Sequence, residues 1–332
     1  MALRFVDSFD HYQSAQLASK WSSYSTVGYH GGISAGQGRN GTAAYYAGRT
    51  WTIRKILDAQ TTWIIGCAFR HVGTVAWVFL ESMDGTTRQI GVQINVDRTI
   101  SVLRGTTVLA TSETALSGDT WYYIELRTVI HNTTGEYELR VNGTAWLTAT
   151  GANTRSSANN SADGIRIYSE NFQFGYFDDL YICDGTGSSH NTFLGDCKVM
   201  ALVPSGAGAS TQWTPSAGAN YECVDDATPD SDTTYVSSAT AGHKDTYALG
   251  DLSGSGTILG VQSSYFARKD DAGSRTVKSV VRSGAGAESN GASVSVSDTY
   301  VYYIDLHATE PGGAAWTVAK VNDAQVGVEV VA

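Results

Sequence analysis

Trp121-Tyr-Tyr-Ile-Glu-Leu-Arg-Thr-Val-Ile130, His131-Asn-Thr-Thr-Gly135 and Glu136-Tyr-Glu-Leu-Arg-Val-Asn-Gly143 decide the fold class. In the first run Tyr122, Ile124, Leu126 and Ile130 share one parity, and Glu125 and Arg127 the other. In the last run Tyr137, Leu139 and Val141 point one way, and Glu136, Glu138 and Arg140 the other. Two-residue alternation with aromatic and β-branched residues describes half-buried antiparallel strands. The polar break between the runs makes them a hairpin. Asn142-Gly143 offers the positive φ angles of a type I′ turn and leads into a third run around Trp146 and Leu147. Three such strands bury one face only against another sheet.

The whole chain fits that start. Its 332 residues suggest two domains, and its hydrophobic share of 42% is enough for real cores. Glycine is abundant at 36 residues and proline scarce at 4, while helical periodicity is nearly absent, which favours many short strands. The formal net charge is −10, with no cluster of Lys and Arg, so neither nucleic acid nor an anionic membrane is an expected partner. The opening Met-Ala-Leu-Arg-Phe-Val-Asp has no apolar stretch, so no signal peptide is expected and synthesis is expected in a cytoplasm. Cys67, Cys183, Cys197 and Cys223 lack metal-ligand spacing and read as reduced thiols, with a Cys183–Cys197 or Cys197–Cys223 bridge left open.

Strand patterns continue to Phe172–Ile182, interrupted by a polar surface loop over residues 150–164. Composition then changes at Asp184-Gly-Thr-Gly-Ser-Ser-His-Asn191. This places one β-sandwich domain over residues 1–186, a linker over 187–196 and a second, smaller sandwich over 197–332, its first strand at Cys197–Val203. Asp298-Thr-Tyr-Val-Tyr-Tyr-Ile-Asp-Leu306 echoes Asp119–Leu126, either through duplication or because two strands solve one packing problem. Near the end, Ala315–Asn322 reads as a helical turn starting at Thr317, and Gln325–Val331 as a last strand.

Several motifs in order carry a resemblance. Phe5–Phe9 with Trp21, Gly38-Arg-Asn-Gly41 leading to Tyr45, the Val141-Asn-Gly143 hairpin and Phe177-Asp-Asp-Leu-Tyr-Ile182 together resemble the concanavalin A-like, or laminin-G-like, jelly roll. Phe193–Asp196, Val224-Asp-Asp226, Asp232–Tyr235 and the C-terminal segment resemble the C-terminal region of structural proteins of tailed bacteriophages. The resemblance implies a virion protein that decorates a capsid or belongs to a tail, with major capsid or tail proteins as partners and a homo-oligomeric state. Its alternative is an adhesin on the particle that contacts host surface glycans.

Glycanases on this jelly roll carry alternating acids of the type Glu-x-Asp-x-x-Glu, because two carboxyl groups must flank the scissile bond at about 5–5.5 Å. No such run is present, and Glu136 and Glu138 read as a solvated strand face. The expectation is therefore a protein without catalysis. Gly36-Gln-Gly-Arg-Asn-Gly41 matches a dinucleotide fingerprint by letter but does not lie between a strand and a helix. The seven histidines are scattered. Relatives in the jelly-roll family often hold Ca²⁺ at a sheet edge. The resemblance thus makes Asp7, Asp178 and Asp179 its candidate ligands, against the plainer reading of a buried hydrogen-bond network. No other cofactor is expected. Rings that stack on pyranose faces would come from Tyr29, Tyr45, Tyr46, Trp77 and Tyr168.

Overall fold

Alternating apolar and polar residues between glycine-marked turns give strands through most of the computed structural model, which describes residues 2–25, 31–48, 51–169 and 174–332. The chain divides into two units, Met1–Val199 and Met200–Ala332.

In the first unit the elements are β1 (Leu3–Asp7), α1 (Leu17–Lys20), β2 (Ser23–Ser25), β3 (Gly32–Ser34), β4 (Ala44–Gly48), β5 (Thr52–Gln60), β6 (Thr62–His71) and β7 (Trp77–Asp84). There follow β8 (Thr87–Ile94), β9 (Thr99–Arg104), β10 (Thr107–Ala115), β11 (Trp121–Val129), β12 (Gly135–Val141), β13 (Thr144–Ala152), β14 (Ala162–Tyr168) and β15 (Phe174–Asp184). One sheet runs β13-β12-β11-β6-β15-β4-β3, with β1 also on β15; the other runs β10-β9-β8-β7-β14-β5-β2. All pairings are antiparallel, and consecutive strands such as β5 and β6, β6 and β7, or β14 and β15 lie in different sheets. This is the interleaving of a jelly-roll sandwich.

The sheets meet over aromatic residues. Phe69 of β6 and Phe79 of β7 stack with ring centroids 4.1 Å apart, and Trp77 meets Phe177 edge-on. Ile65, Ile124, Leu126, Val92, Val102, Ile165 and Ile167 are fully buried around them. The opening hairpin is as read: Tyr137, Leu139 and Val141 are buried and Glu136, Glu138 and Arg140 half-buried along β12. Asn142 and Gly143 adopt φ of 49° and 78° at its turn. Glu136 bonds Arg127 and Glu138 bonds Arg140, as befits a solvated face.

β11 departs from the expected pattern, because both of its faces are covered. Ile124, Leu126 and Thr128 turn into the sandwich, yet Tyr123 and Glu125 on the other face are buried too. Residues 193–199 lie across them as a strap. Glu125 Oε1 accepts from Gly195 N (2.8 Å) and from the Tyr181 hydroxyl (2.5 Å), and that hydroxyl accepts from Leu194 N (3.2 Å). Arg140 stacks on Phe193 at 4.0 Å, and Arg39 pairs with Asp196 at 2.7 Å. Much of the segment expected as a linker therefore belongs to the first unit. Gly66 sits below the Tyr181 ring, where any side chain would collide with it.

The second unit holds β16 (Pro204–Thr211), β17 (Thr214–Pro215), β18 (Val236–Ser237), β19 (Lys244–Leu249), β20 (Val261–Ala267), β21 (Thr276–Arg282), β22 (Glu288–Asn290), β23 (Val294–Ser295), β24 (Val301–His307), α2 (Val318–Asn322) and β25 (Gln325–Val330). Its main sheet runs β16-β19-β25-β21-β22, with β23 on β21, and β20 pairs with β24 in a separate ribbon. Val281, Trp316, Val321 and Ala324 form a core with Leu202, Leu252, Ile258, Val261 and Val326. Thr317 caps α2, its hydroxyl accepting from Lys320 N at 3.2 Å. The first strand starts at Pro204, later than the expected Cys197. The echoed segments hold unlike positions: β11 lies between β12 and β6, whereas β24 pairs with β20 alone.

Candidate functional site

Register builds one polar row across the seven-stranded sheet. Arg54 of β5 lies opposite Arg166 of β14, Arg166 opposite Glu81 of β7, and Glu81 opposite Gly91 of β8. Directly opposed residues share a face. Their chain neighbours Ile53, Ile165 and Ile167 fill the core, so this row occupies the face turned away from it.

Two arginines opposed on one face repel unless each finds an anion. Arg54 Nη2 pairs with Asp163 Oδ1 at 2.5 Å. Arg166 Nε and Arg88 Nε each donate to one oxygen of Glu81, which is fully buried between the two guanidinium groups. Arg88 reaches Glu81 across Gly91, where an added Cβ would stand 2.8 Å from Val78 and 3.0 Å from the Arg88 stem. Its Nη1 donates to the Gly105 carbonyl at 3.0 Å. Two residues beyond Arg166, Tyr168 shares its face, and the Arg166 guanidinium lies 4.7 Å from the centre of its half-buried ring. Three guanidinium groups thus share two carboxylates, which leaves the row with donor N–H groups beside an aromatic ring. Such a set can donate paired hydrogen bonds to planar or vicinal oxygens.

Among the described residues, Tyr168 alone of the rings expected to stack on sugars lies on this row. Tyr45 and Trp77 correct the expectation. They are 0% and 1% exposed, packed against Phe9 and Phe69, and offer no free face. Tyr46 is half-buried, stacked on Phe174 and tilted against Tyr176. Tyr29 lies outside the described residues.

The three expected calcium ligands are not gathered into one metal-holding group among the described residues. Asp7 is buried, with Oδ1 accepting from Phe9 N and Lys20 Nζ (both 2.9 Å) and Oδ2 from the Tyr12 hydroxyl (2.8 Å). Asp178 Oδ2 accepts from Arg39 N and its Oδ1 from Asp179 N, both at 2.8 Å. Asp179, with a φ of 49° at a β-bulge, accepts from Val199 N at 2.8 Å and pairs with Arg39 at 3.4 Å. Burial, reinforced by the Asp179 charge, pushes the Asp178 carboxyl up to about 7; burial raises Asp179 as well. These carboxylates clamp the Gly38–Gly41 turn and the strap. Among the described residues, no group of three or more His, Cys, Asp or Glu side chains is placed to hold a metal. All four cysteines are free. The Gly36–Gly41 stretch joins β3 to β4, so no helix follows it.

Sequence reasoning missed Arg54, Glu81, Arg88 and Arg166, because their meeting depends on register between strands far apart in the chain. The only local signal is the alternation of Arg166 with Ile165 and Ile167.

No protein-family model and no curated protein matches the chain. Solved structures do resemble it. The cellulose-induced protein Cip1 matches at 12% identity and a TM-score of 0.44, over 58% of this chain and 99% of that one. The alginate lyase Aly36B matches at 14% and 0.40, over 54% and 95%. A sialidase matches at 10% and 0.43, over 55% of this chain and 18% of its own. Two of these neighbours are named for enzymes that act on carbohydrate, and none of the three is linked to a bacteriophage particle. The expectation of a protein without catalysis is corrected here, since an alginate lyase and a sialidase are enzymes. The likeness reaches the β-sandwich and assigns no reaction to this chain.

Proposed function

We propose that the first unit binds carbohydrate on the outer face of its seven-stranded sheet. One observation carries this reading: Glu81 holds Arg88 and Arg166 in fixed positions beside Tyr168 on the sheet face opposite Ile53, Ile165 and Ile167. A ring edge or face beside fixed N–H donors is the combination a saccharide needs. Its C–H face packs on an aromatic ring, and its hydroxyls accept or donate in the ring plane. Glu81 acts by positioning, since both its oxygens are taken. Arg166, Arg88 and Tyr168 make the contacts. The service on a virion implied by the resemblance is a separate proposal, tested by whether purified particles contain the chain and in how many copies.

The binding test is a glycan array followed by isothermal titration of the best ligand, with and without Ca²⁺. Wild type binds, and Arg166→Ala or Tyr168→Ala weakens binding about tenfold or more, ~1.4 kcal/mol. Binding unchanged in both variants, or absent from every glycan in both conditions, sinks the proposal.

A further inference from the structure

Residues 150–164 were expected to form a surface loop; the connection between β13 and β14, residues 153–161, is pinned from below. Gln89 of β8 is fully buried, and its amide spends every polar group on the loop. Its Oε1 accepts from Ser156 N (2.6 Å) and Ser157 N (3.1 Å). Its Nε2 donates to Ser157 Oγ (2.8 Å), the Asn159 carbonyl (2.9 Å) and the Ser161 carbonyl (2.8 Å). The loop so held faces the β9–β10 turn, and between them lies an open depression, a cavity on the surface of about 410 Å³. Arg104, Thr107, Asn153, Arg155, Ser156 and Ser157 line it.

The lining has a single sign. Arg104 has no hydrogen-bond acceptor and no carboxylate partner among the described residues. Arg155 Nη1 reaches only the neutral Ala158 carbonyl (3.4 Å) and Asn160 Oδ1 (3.3 Å). Asp84, the acid standing behind Ser157, uses Oδ2 on Ser157 Oγ (2.5 Å) and Asn159 Nδ2 (2.9 Å) and does not line the cavity. Two guanidinium groups with hydroxyl and amide donors, and no lining carboxylate, make a site for an oxyanion. The volume is far beyond the ~30 Å³ of a water-sized species and falls within the range of organic ligands.

From this placement we infer that the cavity takes a carboxylate or sulfate group borne by a saccharide. The oxyanion part stands on the cavity alone, and the saccharide part rests on the carbohydrate reading above. Gln89 is a positioning residue that keeps the loop, and with it Arg155, in place.

The full chain is titrated with sodium sulfate, tetragalacturonate and neutral maltotetraose, using wild type, the pair Arg104→Gln with Arg155→Gln, and Arg166→Gln. Tetragalacturonate binds wild type at least tenfold tighter than maltotetraose does, and the paired variant loses that advantage while keeping its unfolding midpoint. Sulfate binding that disappears in the paired variant, without tetragalacturonate binding, keeps the oxyanion pocket and assigns it to a free anion. Absence of binding by both anions, or anion binding unchanged in the paired variant, overturns the inference. A neutral glycan whose binding falls only in Arg166→Gln supports the outer-face reading independently, so the two proposals fail separately.

Discussion

Asp178→Asn turns the buried carboxylate pair into a measurable pH dependence. Asp178 is 2% exposed. Burial, then the neighbouring Asp179 charge, moves its carboxyl from 3.8 to about 7. Between those values the folded chain keeps a proton at Asp178 that the unfolded chain has released. Stability contributed by this group is therefore present at low pH and lost as pH rises through the window. The displacement corresponds to ~4 kcal/mol. His11 and His71 act in the opposite sense. Burial lowers each from 6.5 to about 4, so the unfolded chain binds the extra protons and stability falls as pH drops through that range. The wild-type curve sums these effects, and the informative quantity is the difference between wild type and variant. Asn keeps the shape, takes no proton, and cannot accept from both Arg39 N and Asp179 N, which costs ~1–3 kcal/mol at every pH. Urea unfolding of the first unit is followed by tryptophan fluorescence, since six of the eight tryptophans lie before residue 200. Wild type should lose ~4 kcal/mol relative to Asp178→Asn between about pH 4 and pH 8. A difference that stays constant over this range refutes the reasoning.

Two further outcomes follow from packing. Phe79→Ala empties a fully buried site against Phe69 and should cost the first unit ~3–5 kcal/mol, read as a lower urea midpoint. Gly327→Ala drives a Cβ into the Asp245 carbonyl between β19 and β25, so the second unit should unfold earlier in urea; limited proteolysis should then cut after residue 200 and leave the first unit intact.

The sandwich was legible because its signals are local. Alternation over Tyr137–Val141, the Asn142-Gly143 turn and the Thr317 cap each sit within a few residues, where pleat, φ and hydrogen-bond geometry act directly. Glu125 was misjudged because alternation identifies two faces and cannot show that a later segment covers the second one. Tyr45 and Trp77 were offered to solvent for a related reason: residue type favours stacking, but only tertiary packing decides which rings remain accessible. The arginine row stayed hidden because Arg54, Glu81 and Arg166 become neighbours only through strand register. Gln89 gave no sign at all, since a buried amide holding a distant loop looks in sequence like any polar strand residue.

The strap over Glu125 also determines where the first half can be cut. A fragment stopped at residue 186, where composition changes, would uncover Glu125, Tyr181 and Asp179 and strip them of the Gly195, Leu194 and Val199 amides. Glu125 and Asp179 would then face water without their backbone donors, keeping only the Tyr181 hydroxyl and the Arg39 guanidinium. A stable, separately expressed first half therefore has to run through Val199, and the shorter piece should be prone to clumping.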